Sequence, residues 1–226
     1  SKGITVIPEI DLPGHMLAAL AAYPELGCTG GPYDVWGDWG IADDVLCAGK
    51  EKTMTFLEDV LAEVCDLFPS EYIHIGGDEA VKKDWEVCVN CRKRMEEEGM
   101  THKNELQGYL VRHIEKFLRE RGKTIIGWDE IVETGLPEQA TVMSWRGTPG
   151  GIKASAQGHD VIMAPNTYVY LDYYQDLIRK EPKAVGHMQS LRHVYKFDPV
   201  EGIAPEYHHH ILGLQGNLWC ELIPYA

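Results

Sequence analysis

Short apolar, β-branched runs alternate with long amphipathic stretches along almost the whole chain, and that alternation restricts the fold to parallel β/α units. The runs are Ile4 to Ile10, Tyr72 to Ile75, Thr124 to Trp128, Thr141 to Trp145, Val161 to Ala164 and Ile211 to Gln215. Between the first two a helix is expected from about Lys52 to Phe68, with Met54, Leu57, Val60, Leu61, Val64, Leu67 and Phe68 on one face. A second runs from Asn104 to about Arg121, with Leu106, Leu110, Ile114, Phe117 and Leu118 inward and Gly122 as its stop. A third, shorter one covers Gly151 to Ala156. Two long irregular segments, Cys28 to Gly49 and Tyr168 to Pro205, interrupt the rhythm. Loops of that length in a compact domain usually carry function.

Composition narrows the partners. The 226 residues, 44% hydrophobic and 25% charged, suit a single soluble globular domain over 1–226. Lys+Arg number 21 against 35 Asp+Glu, and the resulting charge of −14 argues against a nucleic-acid partner, because phosphate binding relies on clustered cations. A neutral or polar small molecule fits better. No apolar run approaches the roughly 18 residues of a membrane span, and no signal peptide is visible. Among the six cysteines, Cys65 reads as a small apolar residue on a helix face. Cys88 and Cys91 form a lone C-x-x-C without the second pair that a structural zinc needs, so no metal is expected and a thiol couple, paired or merely close, is the reading. His208-His209-His210 reads as a partly solvated loop before a strand.

Nearly every strand ends in residues that do chemistry or hold a polar ligand: Glu9 and Asp11, Asp78 and Glu79, Trp128 to Glu130, Trp145 and Arg146, Asn166 to Asp172, Trp219 to Glu221. In a parallel barrel all C-terminal strand ends meet on the face that carries the active site. Three Trp after three strands, each beside a carboxylate or Arg, suit a cup gripping the apolar faces of a pyranose. The most informative stretch is His74-Ile75-Gly76-Gly77-Asp78-Glu79. Its glycines permit a tight turn at the strand end. Adjacent side chains on a regular strand face opposite ways, so both carboxylates serve one pocket only where pleating has stopped. Two carboxyls sharing a site repel when ionised, and a proton donor beside an anionic partner is what glycosidic cleavage requires.

The blocks VIPEIDLPGH (Val6 to His15), HIGGDE (His74 to Glu79), GWDE (Gly127 to Glu130), SWRG (Ser144 to Gly147), YLDY (Tyr170 to Tyr173) and LWCE (Leu218 to Glu221) cover nearly the whole chain. In order and spacing the chain resembles glycoside hydrolase family 20, the β-N-acetylhexosaminidases. The resemblance implies a (β/α)₈ barrel of TIM type and a retaining, substrate-assisted hydrolysis of terminal N-acetylglucosamine or N-acetylgalactosamine, without a cofactor. It implies that Glu79 is the general acid and then base, that Asp78 accepts the acetamido N–H, and that Tyr170 donates to the acetamido oxygen. Trp128, Trp145 and Trp219 would wall the pocket, Asp172 and Glu221 would bind sugar hydroxyls, and Asp11 with His15 would support the acid.

By the same resemblance the first strand corresponds to the family's third and the last to its eighth. The expectation is an incomplete barrel of about six of eight β/α units, lacking the first two strands and a sugar-gripping Arg. Open edges would favour self-association. Cys28 and Cys47 flank the Gly/Trp-rich loop as a similar pair does in related bacterial sequences, implying a disulfide and an extracytoplasmic parent protein. Three other readings remain. One is a glycosidase with a protein nucleophile, disfavoured because its carboxylates typically come from separate strands. Another is a metal hydrolase recruiting Asp11, His15, His74 and Asp78; the last is an inert sugar-binding fragment.

Overall fold

The computed structural model describes residues 2–37, 39–176 and 181–222, in two compact units, Ser1–Thr141 and Val142–Ala226.

In the first unit the chain forms helices α1 (Leu17–Ala22) and α2 (Glu51–Leu67), strand β1 (Tyr72–His74), helices α3 (Val89–Glu97) and α4 (Lys103–Arg119) and strand β2 (Thr124–Trp128). β1 and β2 are parallel, with Ile73 opposite Ile125 and His74 opposite Ile126. α4 packs on β2 and on α2, because Leu106, Leu110, Val111, Ile114 and Leu118 form one buried stripe. Burying each such leucine is worth about 1.5–3 kcal/mol. His102 caps α4 by accepting from the Asn104 N–H, and Glu105 reaches back to the N–H of His102. α2 follows its expected face through Met54, Leu57, Leu61 and Val64, but Leu67, at the end of the helix, stays largely exposed.

The expected first strand, Ile4 to Ile10, is a correction. Only Glu9 pairs, as a single parallel bridge to His74, with His74 N–H donating to Pro8 O and Ile10 N–H to His74 O. The next rung upstream would need an N–H from residue 8, which proline lacks. The rung downstream is lost because the Gly76 N–H turns to His74 Nδ1. α3 was not expected at all: its nine residues bury only Cys91, so no apolar periodicity announces it. It ends as the Gly99 N–H bonds Glu96 O and the Met100 N–H bonds Met95 O, with Gly99 at φ 66°.

The second unit carries β3 (Thr141–Ser144), α5 (Pro149–Ala156), β4 (Val161–Met163), α6 (Leu191–Tyr195) and β5 (Ile211–Leu214). β4 is parallel to β3 and to β5, with an irregularity between Val161 and Ile162 on the β5 side. Ser144 Oγ accepts from the Gly151 N–H and donates to Gly147 O, tying the strand end to the start of α5. Within the expected irregular segment Tyr168 to Pro205, residues 177–180 lie outside the described residues, and α6 is a helix that periodicity did not reveal. The three histidines end a 3-10 turn, where His208 Nε2 meets Ile203 O and His210 Nδ1 meets Asp160 Oδ1. Among the described residues, no helix is long and apolar enough to cross a membrane.

The expected Cys28–Cys47 disulfide is not formed: all six cysteines are unbonded. Cys28, half-buried, and the buried Cys47 instead lie in one cluster with the buried Cys88 and Cys91.

Candidate active site

In the first unit, four residues converge, two from the turn after β1 and two from the segment that follows the Glu9 bridge. Gly76 (φ 64°) and Gly77 (φ 104°) turn the chain sharply after β1, and Glu79 itself sits at φ 49°. This left-handed backbone breaks the pleat, which lets neighbouring Asp78 and Glu79 reach the same group. His15, also left-handed at φ 55°, places Nε2 3.5 Å from Asp78 Oδ2 and 3.5 Å from Glu79 Oε2. Asp11 Oδ1 accepts from the Gly77 N–H at 3.1 Å. A side chain at Gly76 would collide with Asp11, and one at Gly77 with Ile131.

The turn has a further support that sequence reasoning missed. The buried Gln107 of α4 donates to Gly77 O at 2.7 Å, and Lys82 donates to the Gln107 side-chain oxygen at 2.6 Å. The only sequence signal was a polar residue between the inward Leu106 and Leu110 of an amphipathic helix. Glu9 was visible as a strand-end carboxylate, but its task was not: Oε1 accepts from Trp128 Nε1 at 3.0 Å and lies 3.0 Å from His74 Nδ1. Trp128 is 3% exposed, with its ring edge-on to His74.

Electrostatics follow from this crowding. Burial, reinforced by the charge of Asp78, pushes the Asp11 carboxyl up to about 8. Hydrogen bonds to Asp78 and Glu79 raise His15 to about 10. Near neutrality the group is therefore a neutral Asp11 and an imidazolium between two carboxyls. Asp78 Oδ1 is buried and has no hydrogen-bond partner. Such an acceptor costs about 1–3 kcal/mol unless a ligand satisfies it. Asp11, His15 and Asp78 also present atoms within 4.8 Å of one another, a grouping that can hold a cation.

Both shifted groups bind their proton more tightly in the folded chain than in the unfolded one. The stability supplied by His15 is complete below about pH 6.5 and is lost as pH rises through about 10; that from neutral Asp11 is lost between 3.8 and about 8. Asp11→Asn should remove the second loss, so its melting temperature relative to wild type should rise as pH climbs toward 8. Thermal melts across pH measure this, and a pH-independent difference contradicts the burial of Asp11. Gly76→Ala should destabilise the chain by overpacking, about 1–3 kcal/mol, plus about 1–2 kcal/mol of left-handed strain. Denaturant titration measures it, and unchanged stability would rule out the close approach to Asp11.

In the second unit, aromatic rings gather around Tyr170. Its ring stacks with Trp145 (6.4 Å between centroids) and meets Tyr173 and Trp219 edge-on (5.4 and 6.3 Å). Tyr170 is fixed by a parallel bridge to Asn217, whose N–H bonds Val169 O and whose carbonyl accepts from the Leu171 N–H. Trp219 is 39% exposed. Asp172, Tyr173, Lys183, Leu218 and Trp219 help to line a cleft of about 360 Å³. Burial raises the Asp172 carboxyl, opposed by the backbone N–H groups of Asp172 and Trp219, and the charge of Glu221 adds to the rise. Glu221 is exposed.

The sequence profile described as glycosyl hydrolase family 20, catalytic domain, matches residues 1–226. The chain is 49% identical over 222 residues to a β-hexosaminidase of Porphyromonas gingivalis and 40% identical over 228 residues to one of Vibrio furnissii. These alignments cover 97% and 98% of this chain but only 29% and 37% of those proteins. In structure it resembles a β-N-acetylhexosaminidase of Bacteroides fragilis (TM-score 0.82, 33% identity, 97% of this chain and 44% of that one). It also resembles an exo-β-N-acetylglucosaminidase of Vibrio harveyi in complex with N-acetylglucosamine (TM-score 0.83, 32% identity, 99% and 36%). The parallel β/α units are an incomplete set of the (β/α)₈ barrel of those enzymes. This chain belongs to glycosyl hydrolase family 20, through that family's catalytic domain.

Proposed function

We propose that the protein is a retaining β-N-acetylhexosaminidase that removes terminal N-acetylglucosamine or N-acetylgalactosamine from glycans by substrate-assisted catalysis. The observation that carries this reading is the buried, unpartnered Oδ1 of Asp78 next to Glu79, with His15 against both carboxyls. An acceptor of that kind suits an amide N–H. In the proposed reaction the 2-acetamido oxygen attacks the anomeric carbon while Glu79 protonates the departing oxygen. Asp78 holds the amide N–H and stabilises the cationic oxazolinium-like intermediate, and Tyr170 donates to the acetamido oxygen. Glu79 then takes a proton from water as it opens the intermediate. Trp128, Trp145 and Trp219 supply apolar walls, and Asp172 and Glu221 take sugar hydroxyls. Asp11 and His15 hold the turn and the charge balance behind the acid.

A general acid contributes about 10²- to 10⁴-fold. Intramolecular attack in good geometry contributes roughly 7–11 kcal/mol more, so most of the acceleration is assigned to the sugar's own amide. The test is hydrolysis of an aryl β-N-acetylglucosaminide, with the aryl β-glucoside and a chelator-treated sample in parallel. Turnover confined to the acetamido substrate, with initial rates unchanged by chelator, supports the reading. Chelator-sensitive initial rates would favour a metal hydrolase at Asp11, His15 and Asp78, and inhibitor binding without turnover a sugar-binding role.

Two further proposals accompany it. Ile4 and Val6 beside the Glu9 bridge, and Leu212 and Leu214 of β5, are largely exposed, which supports self-association. A strictly monomeric chain by light scattering would refute this. The second proposal is that the parent protein is extracytoplasmic, which cell fractionation tests.

A further inference from the structure

Four thiols that the proposed chemistry does not use meet in the first unit. Cys28 and Cys47 stand at the two ends of the Gly/Trp-rich loop; Cys88 is the N-cap of α3 and Cys91 lies in its first turn. All four Sγ atoms lie within 4.8 Å of one another. The individual separations are 3.8 Å for Cys28–Cys91, 3.7 Å for Cys47–Cys88 and 3.5 Å for Cys47–Cys91. A tetrahedral ion with bonds of about 2.3 Å to sulfur sets its ligands about 3.8 Å apart. We propose that Cys28, Cys47, Cys88 and Cys91 form a structural zinc site, a tetrathiolate that fastens the 28–49 loop to the start of α3.

Three observations separate this from four small apolar side chains that merely pack together. α3 buries only Cys91, so apolar contact alone anchors that helix poorly, and a bond from Cys91 to a shared ion supplies the missing attachment. The Gly49 N–H donates to Cys47 Sγ, and a side chain at Gly49 would collide with the Asn90–Cys91 backbone, so the loop is held hard against the C-x-x-C turn. The surroundings are dry: Val45, Ala48, Trp85 and Leu106 wall the cluster, and the Trp85 indole N–H is occupied by Leu46 O. Soft sulfur donors without histidine or carboxylate select zinc over the hard cations. Binding one Zn²⁺ releases the thiol protons to solvent, so uptake is pH-dependent. The second pair that the sequence lacked is present in space, contributed by cysteines 19 positions apart (47 − 28) rather than by another C-x-x-C.

Ala80, the residue after Glu79, packs against this cluster, so the ion would brace the turn that carries the carboxylates. The proposal does not depend on the hydrolytic reading, since its readouts are metal content and stability. The test is elemental analysis of the chain purified from zinc-supplemented cells and freed of loose metal. The expected result is one zinc per chain, lost in Cys28→Ser and kept in Cys65→Ser. Reconstitution of the denatured, metal-free chain with Co²⁺ should yield the thiolate-to-cobalt charge transfer and tetrahedral ligand-field bands of a sulfur site, a reading that does not require a folded variant. A lower melting temperature after zinc removal completes the expectation. Folded wild-type chain with no zinc, two disulfides by mass among these four cysteines, or full zinc retention in Cys28→Ser would each overturn it.

Discussion

Asp78→Ala should lower kcat/KM on an aryl β-N-acetylglucosaminide by about 10²- to 10³-fold, the cost of removing one preorganised group that stabilises developing charge. The loss should fall mainly on kcat, because in the proposed reaction the contact with the acetamido N–H strengthens as positive charge grows on the oxazolinium ring. Residual activity on a 2-hydroxy glycoside should change little, since that sugar offers no amide to orient. Stability should change little, because removing a buried oxygen without a partner and relieving the repulsion that raises Asp11 are offset by the loss of the hydrogen bond that Asp78 makes with His15. Parallel kinetics on the two aryl glycosides, with melting curves, measure all of this. Equal losses on both sugars would exclude the orienting role.

Glu79→Gln should cost about 10²- to 10⁴-fold in kcat. The amide is close to isosteric and keeps a partner for His15 Nε2, so fold and sugar binding should survive. What disappears is the transferable proton. The deficit should therefore shrink as the leaving group becomes more acidic and needs less protonation, while the water step remains slow. A series of aryl leaving groups of graded acidity reads this out; a deficit independent of leaving group would assign the proton donor elsewhere. His15 bridges both carboxyls, so the effects of Asp78 and Glu79 substitutions should not add, and the double variant measures their coupling.

Much of the fold was legible because its determinants are local. The buried stripe of α4 carries its own periodicity and the short, buried runs of β2 and β3 their own composition, and their boundaries lie within a few residues of expectation. Gly76-Gly77 announced a break in the pleat, and the left-handed φ values there are what place Asp78 beside Glu79. The failures have equally specific causes. Ile4 to Ile10 has the composition of a strand, but Pro8 withholds the hydrogen that the next rung needs. α3 is held by contacts that leave no stripe in its sequence, and Gln107 looked like an imperfection in an apolar face until Gly77 O supplied its partner.

Sequence by itself determined the chemistry available: two adjacent carboxylates after a glycine turn, indoles at strand ends, and the family to which the chain belongs. Tertiary structure alone decided which groups meet. His15 lies against both carboxyls, Asp11 is buried deeply enough to keep its proton, and four cysteines from three separated places in the chain share one small volume. The division is physical. Backbone conformation and side-chain type act over a few residues and leave a pattern in the sequence, whereas desolvation and through-space contact depend on distances that exist only after the chain has folded.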